Sequence, residues 1–468
     1  MFKKLLLTIL VSGFWILDSA AQNRPNILLL FADDAGYGDF GFHDSHHFQT
    51  PHLDQLAASG TIMSQFYVSA ATCGPSRAGL LTGLCQQRFG YEENNVPGMM
   101  SPSSKLLGDE MGLPTHLETI GDHLQALDYQ TAIFGKWHLG IADRYHPLKR
   151  GFHEFYGFRG GARSFYPLTE RQAADKPENR LERNFANYAE HQGYLTNTLA
   201  DETCAFIERS HRKEQPFFAF VSFNAVHSPM HIDPHDKDTF PQLKGKRRQA
   251  AQMMLSMDRA CGQILNKLDQ LQIRKNTLVV FTNDNGGPTG ANASSNYPFA
   301  GVKATHLEGG IRVPALFSWP GKIAPGSTSN QITWTLDLLP TFLAAADDNP
   351  HTLEQTDGLN LLPHLTTNTP LAERSLYWKV ESRAAVRTGD WKLIRFPDRP
   401  PMLFNLANDP TEETNLASQK PQKLKELFKT LFTWEMELER PLFLLDHKAE
   451  AWSAQRLDEY RTPPEKTW

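Results

Sequence analysis

The chain has 468 residues, of which 40% are hydrophobic and 21% are charged, a composition that excludes a disordered or fibrous protein. Its length suffices for one large α/β unit and a smaller second unit. Since 47 Lys and Arg residues face 52 Asp and Glu residues, the net charge is −5, and no overall basic field supports nucleic-acid binding.

The first 21 residues have the pattern of a secretory signal peptide. Two lysines precede an apolar run at residues 5–17, and small residues follow at 19–21, which are the three regions of such a signal. The run is shorter than the roughly 20 residues that cross a bilayer, which argues against a membrane anchor. We therefore predict a bacterial protein that is exported to the periplasm or secreted.

Residues 22–370 have the pattern of a large α/β domain. A helix-like segment at 51–57 follows the first of several apolar runs, which lie at residues 26–31, 131–134, 217–223 and 277–282. Apolar runs without alternation indicate strands that are buried on both faces, hence a mostly parallel sheet between helices. Functional loops are then expected after the strand ends.

Residues 371–468 have a different pattern. Short alternating runs separated by turn residues predict an antiparallel sheet. Residues 421–439 predict a helix with one apolar stripe, which would cover a face of that sheet. We expect a smaller C-terminal α+β subdomain.

The cysteines are too few for a disulfide scaffold. The long chain has four, at positions 73, 85, 204 and 261. Cys261 shares a helical stripe with Met257, Ile264 and Leu268, which predicts a buried apolar role. The sequence around Cys73 differs from that around the other three cysteines, because Gly, Pro, Ser and Arg follow it directly.

Two polar clusters follow predicted buried strands. Asp33 and Asp34 come after the first run, and Asp284 and Asn285 come after the run at 277–282. Each cluster alone is also typical of a turn. Adjacent carboxylates at strand ends repel unless a cation lies between them, and oxygen donors without His favour Ca²⁺ or Mg²⁺ over zinc. Their matching positions predict a shared metal site, and the absence of His from both clusters argues against a two-zinc enzyme.

Cys73 lies at the start of a predicted helix. Pro75 fits the first helical positions, and a helix N-terminus stabilises negative charge on a nucleophile placed there. Arg77 adds a fixed cation one turn further on. From spacing alone, Cys73 is either a nucleophile or an ordinary buried thiol.

The segment from Cys73 to Gly83, which begins Cys-Gly-Pro-Ser-Arg, resembles the signature of type I sulfatases, in which that cysteine is oxidised to Cα-formylglycine. Further similarity is found at residues 26–38, 50–54, 135–140, 224–229, 284–286, 301–303, 308–314 and 409–416. The pattern is most similar to bacterial carbohydrate sulfatases of the arylsulfatase A and N-acetylgalactosamine-6-sulfatase-like group. This resemblance implies an alkaline-phosphatase-like sheet with a smaller C-terminal subdomain.

The resemblance also implies a role for each site residue. Cys73, oxidised by a separate formylglycine-generating enzyme, would be hydrated to a diol that attacks sulfur. Four residues would hold Ca²⁺, or less well Mg²⁺: Asp33, Asp34, Asp284 and Asn285. Three would orient the diol: Arg77, Lys136 and His138. Lys303 would bind sulfate oxygens, and His227 would protonate the leaving alcohol. These roles suit an anionic ester with a poor leaving group, which needs cations and an acid.

The expected substrate is a sulfated oligo- or polysaccharide, with a marine galactan such as carrageenan favoured. Arg159 and Arg163 could present guanidinium groups to a sulfate or carboxylate of the sugar, although an ordinary solvated loop is the alternative. Two other functions stay open. The chain could hydrolyse phosphonate monoesters or phosphodiesters on the same fold, or bind sulfated glycans without catalysis if Cys73 is never oxidised.

Overall fold

The computed structural model describes residues 24–347 and 355–464. The predicted export signal lies outside the described residues. Among the helices that the structure describes, none has the length and apolar character needed to cross a membrane. The predicted boundary between the two domains near residue 370 stays a prediction.

The described chain contains three sheets and a set of helices. The strands are β1 Asn26–Ala32, β2 Thr61–Met63, β3 Phe66–Tyr67, β4 Gln130–Lys136, β5 Glu154–Phe158, β6 Glu182–Arg183, β7 Phe217–Ser222, β8 Thr277–Asn283, β9 Ala315–Ser318, β10 Ser327–Ser329, β11 Thr333–Trp334, β12 Ser375–Val380, β13 Arg383–Thr388, β14 Trp391–Arg395 and β15 Met402–Asn405. The α-helices are α1 Pro51–Ala58, α2 Cys73–Thr82, α3 Ile120–Ala126, α4 Glu170–Asp175, α5 Leu195–Arg212, α6 Gly245–Gln270, α7 Thr289–Asn292, α8 Glu308–Ile311, α9 Leu338–Ala346, α10 Leu362–Thr367, α11 Pro421–Glu435 and α12 His447–Glu459.

The largest sheet has nine strands in the order β10-β2-β9-β8-β1-β7-β4-β5-β6. The five central strands from β8 to β5 are all parallel, whereas β9 and β6 pair antiparallel with their neighbours. Every residue of β1, β7 and β8 is buried. The predicted parallel sheet with strands buried on both faces is confirmed.

Both faces of this sheet carry a hydrophobic core, because alternate residues of a strand point to opposite faces. Leu28 and Leu30 pack in one core together with residues of α1, α5 and α6. Leu29 and Phe31 pack in the other core with residues of α2, α3 and α9. Cys261 is fully buried in α6, as its stripe predicts, and all four cysteines are free thiols.

The C-terminal sheet is antiparallel, with β12 to β15 in chain order. Leu427, Leu431 and Trp434 of α11 are buried in the same core as the strands, and the ring of Trp434 stacks on Tyr377 at 4.6 Å. The predicted α+β character is confirmed, although the helix ends at Glu435 and not at residue 439.

The carboxyl ends of the parallel strands meet at one edge of the large sheet. Ala32 of β1 lies opposite Asn283 of β8, and Phe31 lies opposite Ser222 of β7. The chain therefore leaves β1, β4, β7 and β8 at adjacent points, and the polar segments after these strands come together there.

Candidate active site

Cys73 is the first residue of α2 and is almost fully buried at this sheet edge. The next amide, that of Gly74, donates a hydrogen bond to Asn94 Oδ1 at 2.7 Å, which satisfies one of the unpaired N–H groups of the helix start. All ten residues of α2 are buried, and the helix is followed by Gly83, whose φ of 65° suits glycine. The helix therefore holds the Cys73 side chain in a fixed place.

Three carboxylates converge on Cys73. Ligand atoms of Asp33, Asp34, Asp284 and Cys73 all lie within 4.8 Å of one another, and all four residues are buried. Asn285 donates through Nδ2 to Asp34 Oδ1 at 2.7 Å, while its buried Oδ1 has no hydrogen-bond partner among the described residues. Buried carboxylates and an unpartnered amide oxygen form a donor set that suits a hard divalent cation.

Three cations oppose these carboxylates. Lys136 Nζ lies 2.7 Å from Asp33 Oδ2, and the Arg77 guanidinium lies 3.0 Å from Asp284 Oδ2. Lys303 Nζ lies 2.6 Å from Asp34 Oδ1 and donates to Cys73 Sγ at 2.9 Å. When all three carboxylates are ionised, as binding of a cation requires, their charges balance those of the three cations. A divalent cation would therefore make the cluster net positive, which favours an anionic ligand.

Burial changes the protonation of the acidic groups in this cluster. Burial, helped by the nearby Asp284, raises the pKa of Asp33 to about 8. Burial also acts to raise the pKa of Asp34, but Lys303 and His227 outweigh it and hold that pKa below its usual value. Burial raises the pKa of the Cys73 thiol to about 12, so the unmodified thiol is protonated at neutral pH and is a weak nucleophile.

Two histidines complete the cluster. His227 Nε2 lies 3.5 Å from Asp34 Oδ2, and its side chain is 19% exposed, against 11% for Lys303. His138 is buried, with a φ of 59°, and its Nδ1 has no partner among the described residues. Burial lowers the pKa of both imidazoles, to about 4 for His227, so both are neutral at pH 7. Because His227 is 19% exposed and His138 is buried, His227 is the imidazole that solvent or a substrate reaches more easily.

The guanidinium groups of Arg159 and Arg163 are bound by carboxylates of the chain, and their contact with a substrate stays a prediction. Arg159 makes two hydrogen bonds of 2.8 Å to Glu182 and one of 2.7 Å to Asp143. Arg163 donates to Glu190 at 2.8 Å. Both arginines are buried, which also differs from a solvated loop.

The loop that carries these two arginines still contacts the site through its backbone. His138 donates its amide hydrogen to the Arg159 carbonyl at 3.2 Å. Gly161 lies so close to the imidazole that a Cβ atom there would be 2.5 Å from His138 Nε2. The loop therefore positions His138, and a side chain at 161 would displace the ring.

We expect Arg159→Met to lower the free energy of unfolding by about 3–5 kcal/mol, because Glu182 would keep a buried charge without its partner. Urea denaturation measures this change. Arg171→Met is the matched control, since its ion pair with Asp175 is exposed on both sides and contributes little. Equal midpoints for the two variants would contradict the assignment of Arg159 to a structural ion pair.

Two further residues, which the sequence did not assign to the site, support it. Ser222 accepts from Arg77 and donates to the Lys136 carbonyl, both at 2.6 Å. Asn292 donates to the Asp34 carbonyl at 2.9 Å. Such partners orient groups that bind a metal or substrate. Ser222 is the last residue of β7, and Asn292 lies in a polar segment after β8. Neither position alone indicates these partners.

Comparison with known proteins agrees with this geometry. The profile of the Sulfatase family matches residues 25–348, and the profile for the C-terminal part of N-sulphoglucosamine sulphohydrolase matches residues 303–438. The second match includes Lys303 and the whole C-terminal sheet. The two matches together cover most of the described chain.

Individual relatives extend this similarity. The chain is 33% identical to mouse N-acetylgalactosamine-6-sulfatase, over 82% of this chain and 75% of the relative, and 33% identical to human arylsulfatase A, over 87% of each. The crystal structure of Ps i-CgsB, also solved in complex with k-i-k-neocarrahexaose, has a TM-score of 0.83 and 31% identity, over 94% of this chain and 99% of that one. This agreement confirms the alkaline-phosphatase-like fold. The chain belongs to the sulfatase family and is a sulfuric ester hydrolase.

Proposed function

We propose that the protein removes sulfate from sulfate monoesters on a carbohydrate, with Ca²⁺ as the metal and Cys73 oxidised to formylglycine. The observation that carries the proposal is the convergence of Cys73, three carboxylates and three cations at one buried sheet edge. Two relatives are linked by name to carbohydrates, one to N-acetylgalactosamine and the other to neocarrahexaose. They support a sulfated galactan such as carrageenan as the substrate.

The residues present fit a divalent cation. Asp33, Asp34 and Asp284 are buried and convergent, and Asn285 offers an oxygen that has no partner among the described residues. These four residues would hold Ca²⁺. The ion, when bound, supplies Lewis-acid polarisation of the sulfate oxygens.

The cations of the chain would bind and orient the substrate. Lys303 contacts both Asp34 and Cys73, so its ammonium group lies between the proposed metal site and the nucleophile. From that place it would bind a nonbridging sulfate oxygen and stabilise the charge that develops there. Arg77 and Lys136 would hold the oxidised residue 73 in orientation, together with His138. The hydrated formylglycine supplies a hydroxyl nucleophile that the protonated thiol cannot replace.

His227 would be the general acid. Its imidazole lies beside Asp34 and is partly open to solvent, so a leaving alcohol could reach it. The imidazole is neutral without substrate, because burial and then the Lys136 and Lys303 charges lower its pKa while Asp34 raises it. An anionic sulfate group beside His227 would favour the protonated form, which can then donate to the bridging oxygen.

Removing the metal is expected to destabilise the fold as well as stop turnover. Ca²⁺ at 100 times its Kd should raise the free energy of unfolding by about 2.7 kcal/mol over the EDTA-treated protein. Urea denaturation with and without Ca²⁺ measures this. In Asp284→Ala the response to Ca²⁺ should disappear. Mg²⁺ should act more weakly, because it demands a stricter geometry. A free energy of unfolding that neither ion changes would contradict the metal site.

The decisive experiment measures sulfate release from defined sulfated oligosaccharides of galactans and glycosaminoglycans. The protein is produced with a formylglycine-generating enzyme, and mass spectrometry verifies oxidation at residue 73. We expect ion chromatography to detect sulfate from a galactan substrate. No release from any substrate by the oxidised protein would overturn the proposal, and turnover of phosphonate monoesters or phosphodiesters would then establish the second candidate activity.

The proposal carries two further expectations about the cell. The producing organism must contain a formylglycine-generating enzyme that acts on Cys73. The pattern of the first 21 residues supports export of the protein to the periplasm or out of the cell.

A further inference from the structure

The loop that carries Lys303 is closed on itself and bonded to the segment before Cys73. Gly309 donates to the Ala300 carbonyl at 2.7 Å, which joins the two ends of the loop. Ala304 donates to the Ala71 carbonyl at 2.8 Å, two residues before Cys73. A displacement of residues 300–312 would therefore move Lys303 relative to Cys73.

A fully buried ion cluster lies at the base of this loop. Lys392 Nζ, from β14 of the C-terminal sheet, lies 2.8 Å from Glu308 Oε1 and 2.9 Å from Glu412 Oε1. All three residues have no exposed side-chain surface. The second oxygen of Glu412 accepts from the Glu308 amide at 2.7 Å, so the backbone of the loop is held as well as the side chain.

The other oxygen of Glu308 is also bound. Tyr67 donates to Glu308 Oε2 at 2.5 Å, and Arg312 lies 3.3 Å from the same atom. Two carboxylates therefore face two cations in this cluster, and the charges balance. Loss of Lys392 would leave the two carboxylates opposed in a place that water does not reach.

Two more observations concern the contacts of the C-terminal part of the chain with this loop. Glu412 has a φ of 60°, an uncommon backbone conformation for a residue other than glycine, which the surroundings must hold in place. At the opposite end of the loop, Gly301 donates to the Tyr460 carbonyl at 2.8 Å. The loop is thus fixed at both ends by residues that follow the large sheet in the chain.

We propose that Lys392 and Glu412 are positioning residues for Lys303, so that the C-terminal sheet sets the place of the sulfate-binding ammonium group. The inference rests on the proposed role of Lys303 in binding sulfate. Lys392 acts only through the loop, since its ammonium group is bound by Glu308 and Glu412. This gives the C-terminal sheet a part in catalysis besides its packing.

The first test compares Lys392→Met and Glu412→Gln with a matched pair of controls. Arg395→Met and Glu435→Gln break an ion pair of 2.7 Å that joins the same strand β14 to α11. We expect the first two variants to lose about 10–100-fold in kcat/KM for sulfate release. The controls should stay within about twofold in kcat/KM, even if they unfold more readily.

The second test separates positioning from general damage. If Lys392 acts through Lys303, Lys392→Met should cause little further loss in a Lys303→Ala background, because the group that it positions is gone. The same fold loss in both backgrounds would overturn the proposal. Glu412→Gln keeps the side-chain volume and the acceptor for the Glu308 amide, so it serves if Lys392→Met does not fold.

Amide hydrogen exchange gives a readout that does not need turnover. Exchange at residues 300–312 should rise in Lys392→Met and Glu412→Gln but not in the Arg395 and Glu435 controls. Unchanged exchange in both positioning variants would refute the inference, even if the wild type releases sulfate. Conversely, a wild type that releases no sulfate while loop exchange rises would refute the proposed function and leave the loop anchoring established.

Discussion

Cys73→Ala is expected to reduce sulfate release by about 10⁴-fold or more. The side chain at the start of α2 is the group on which Lys303 and three carboxylates converge. Alanine lacks the sulfur, and without it residue 73 cannot be converted to the proposed formylglycine. The remaining cations would still bind the sulfate group. The measurement is sulfate release under single-turnover and steady-state conditions, with the wild type verified as oxidised at residue 73.

Cys204→Ala is the control for this substitution. Cys204 is a nearly buried free thiol on α5, away from the carboxyl edge of the sheet, so its loss should leave kcat unchanged. Sulfate release by Cys73→Ala at the wild-type rate would contradict a nucleophile at residue 73. A protein from its native host that binds the sulfated sugar with Cys73 unmodified, and releases no sulfate, would identify a silent glycan-binding protein.

The sequence was sufficient to predict the sheet and the meeting of the two acidic clusters. Continuous apolar runs are typical of strands that are buried on both faces, and parallel strands end at one edge. The positions of Asp33 and Asp284, each two residues after the end of such a run, therefore predict that these carboxylates lie side by side. A separate signal predicted the helix that begins at Cys73, because Pro75 fits the first turn of a helix.

Partner choice over long sequence distances could not be predicted. Arg159 and Arg163 pair with Glu182 and Glu190, and nothing in the local pattern selects those carboxylates. A contact of the two arginines with a sugar stays a prediction. The partner of Lys392 could not be predicted either, because Lys392 lies 84 residues from the glutamate that it contacts at the base of the Lys303 loop. A buried ion pair leaves no periodic signal, because only the tertiary fold brings its members together.

Replacing His227 with glutamine is expected to lower kcat/KM for a sulfated sugar by about 10²–10⁴-fold, the contribution of general acid catalysis. The hydroxyl group of a sugar is a poor leaving group, so its bridging oxygen needs a proton. A nitrophenol leaves readily without one, so hydrolysis of 4-nitrophenyl sulfate by His227→Gln should fall by only a few-fold. Parallel assays of the two substrates measure the difference.

His231→Gln is the matched control, because His231 follows four residues later and its Nδ1 lies 3.3 Å from Ser164 Oγ, outside the cluster around Cys73. It should leave both substrates nearly unaffected. Proton donation predicts a loss that grows as the leaving group becomes more basic, whereas a role of His227 in binding sulfate or holding Asp34 predicts the same loss for every ester. Equal losses on sugar and aryl sulfates would therefore assign the acid to another group.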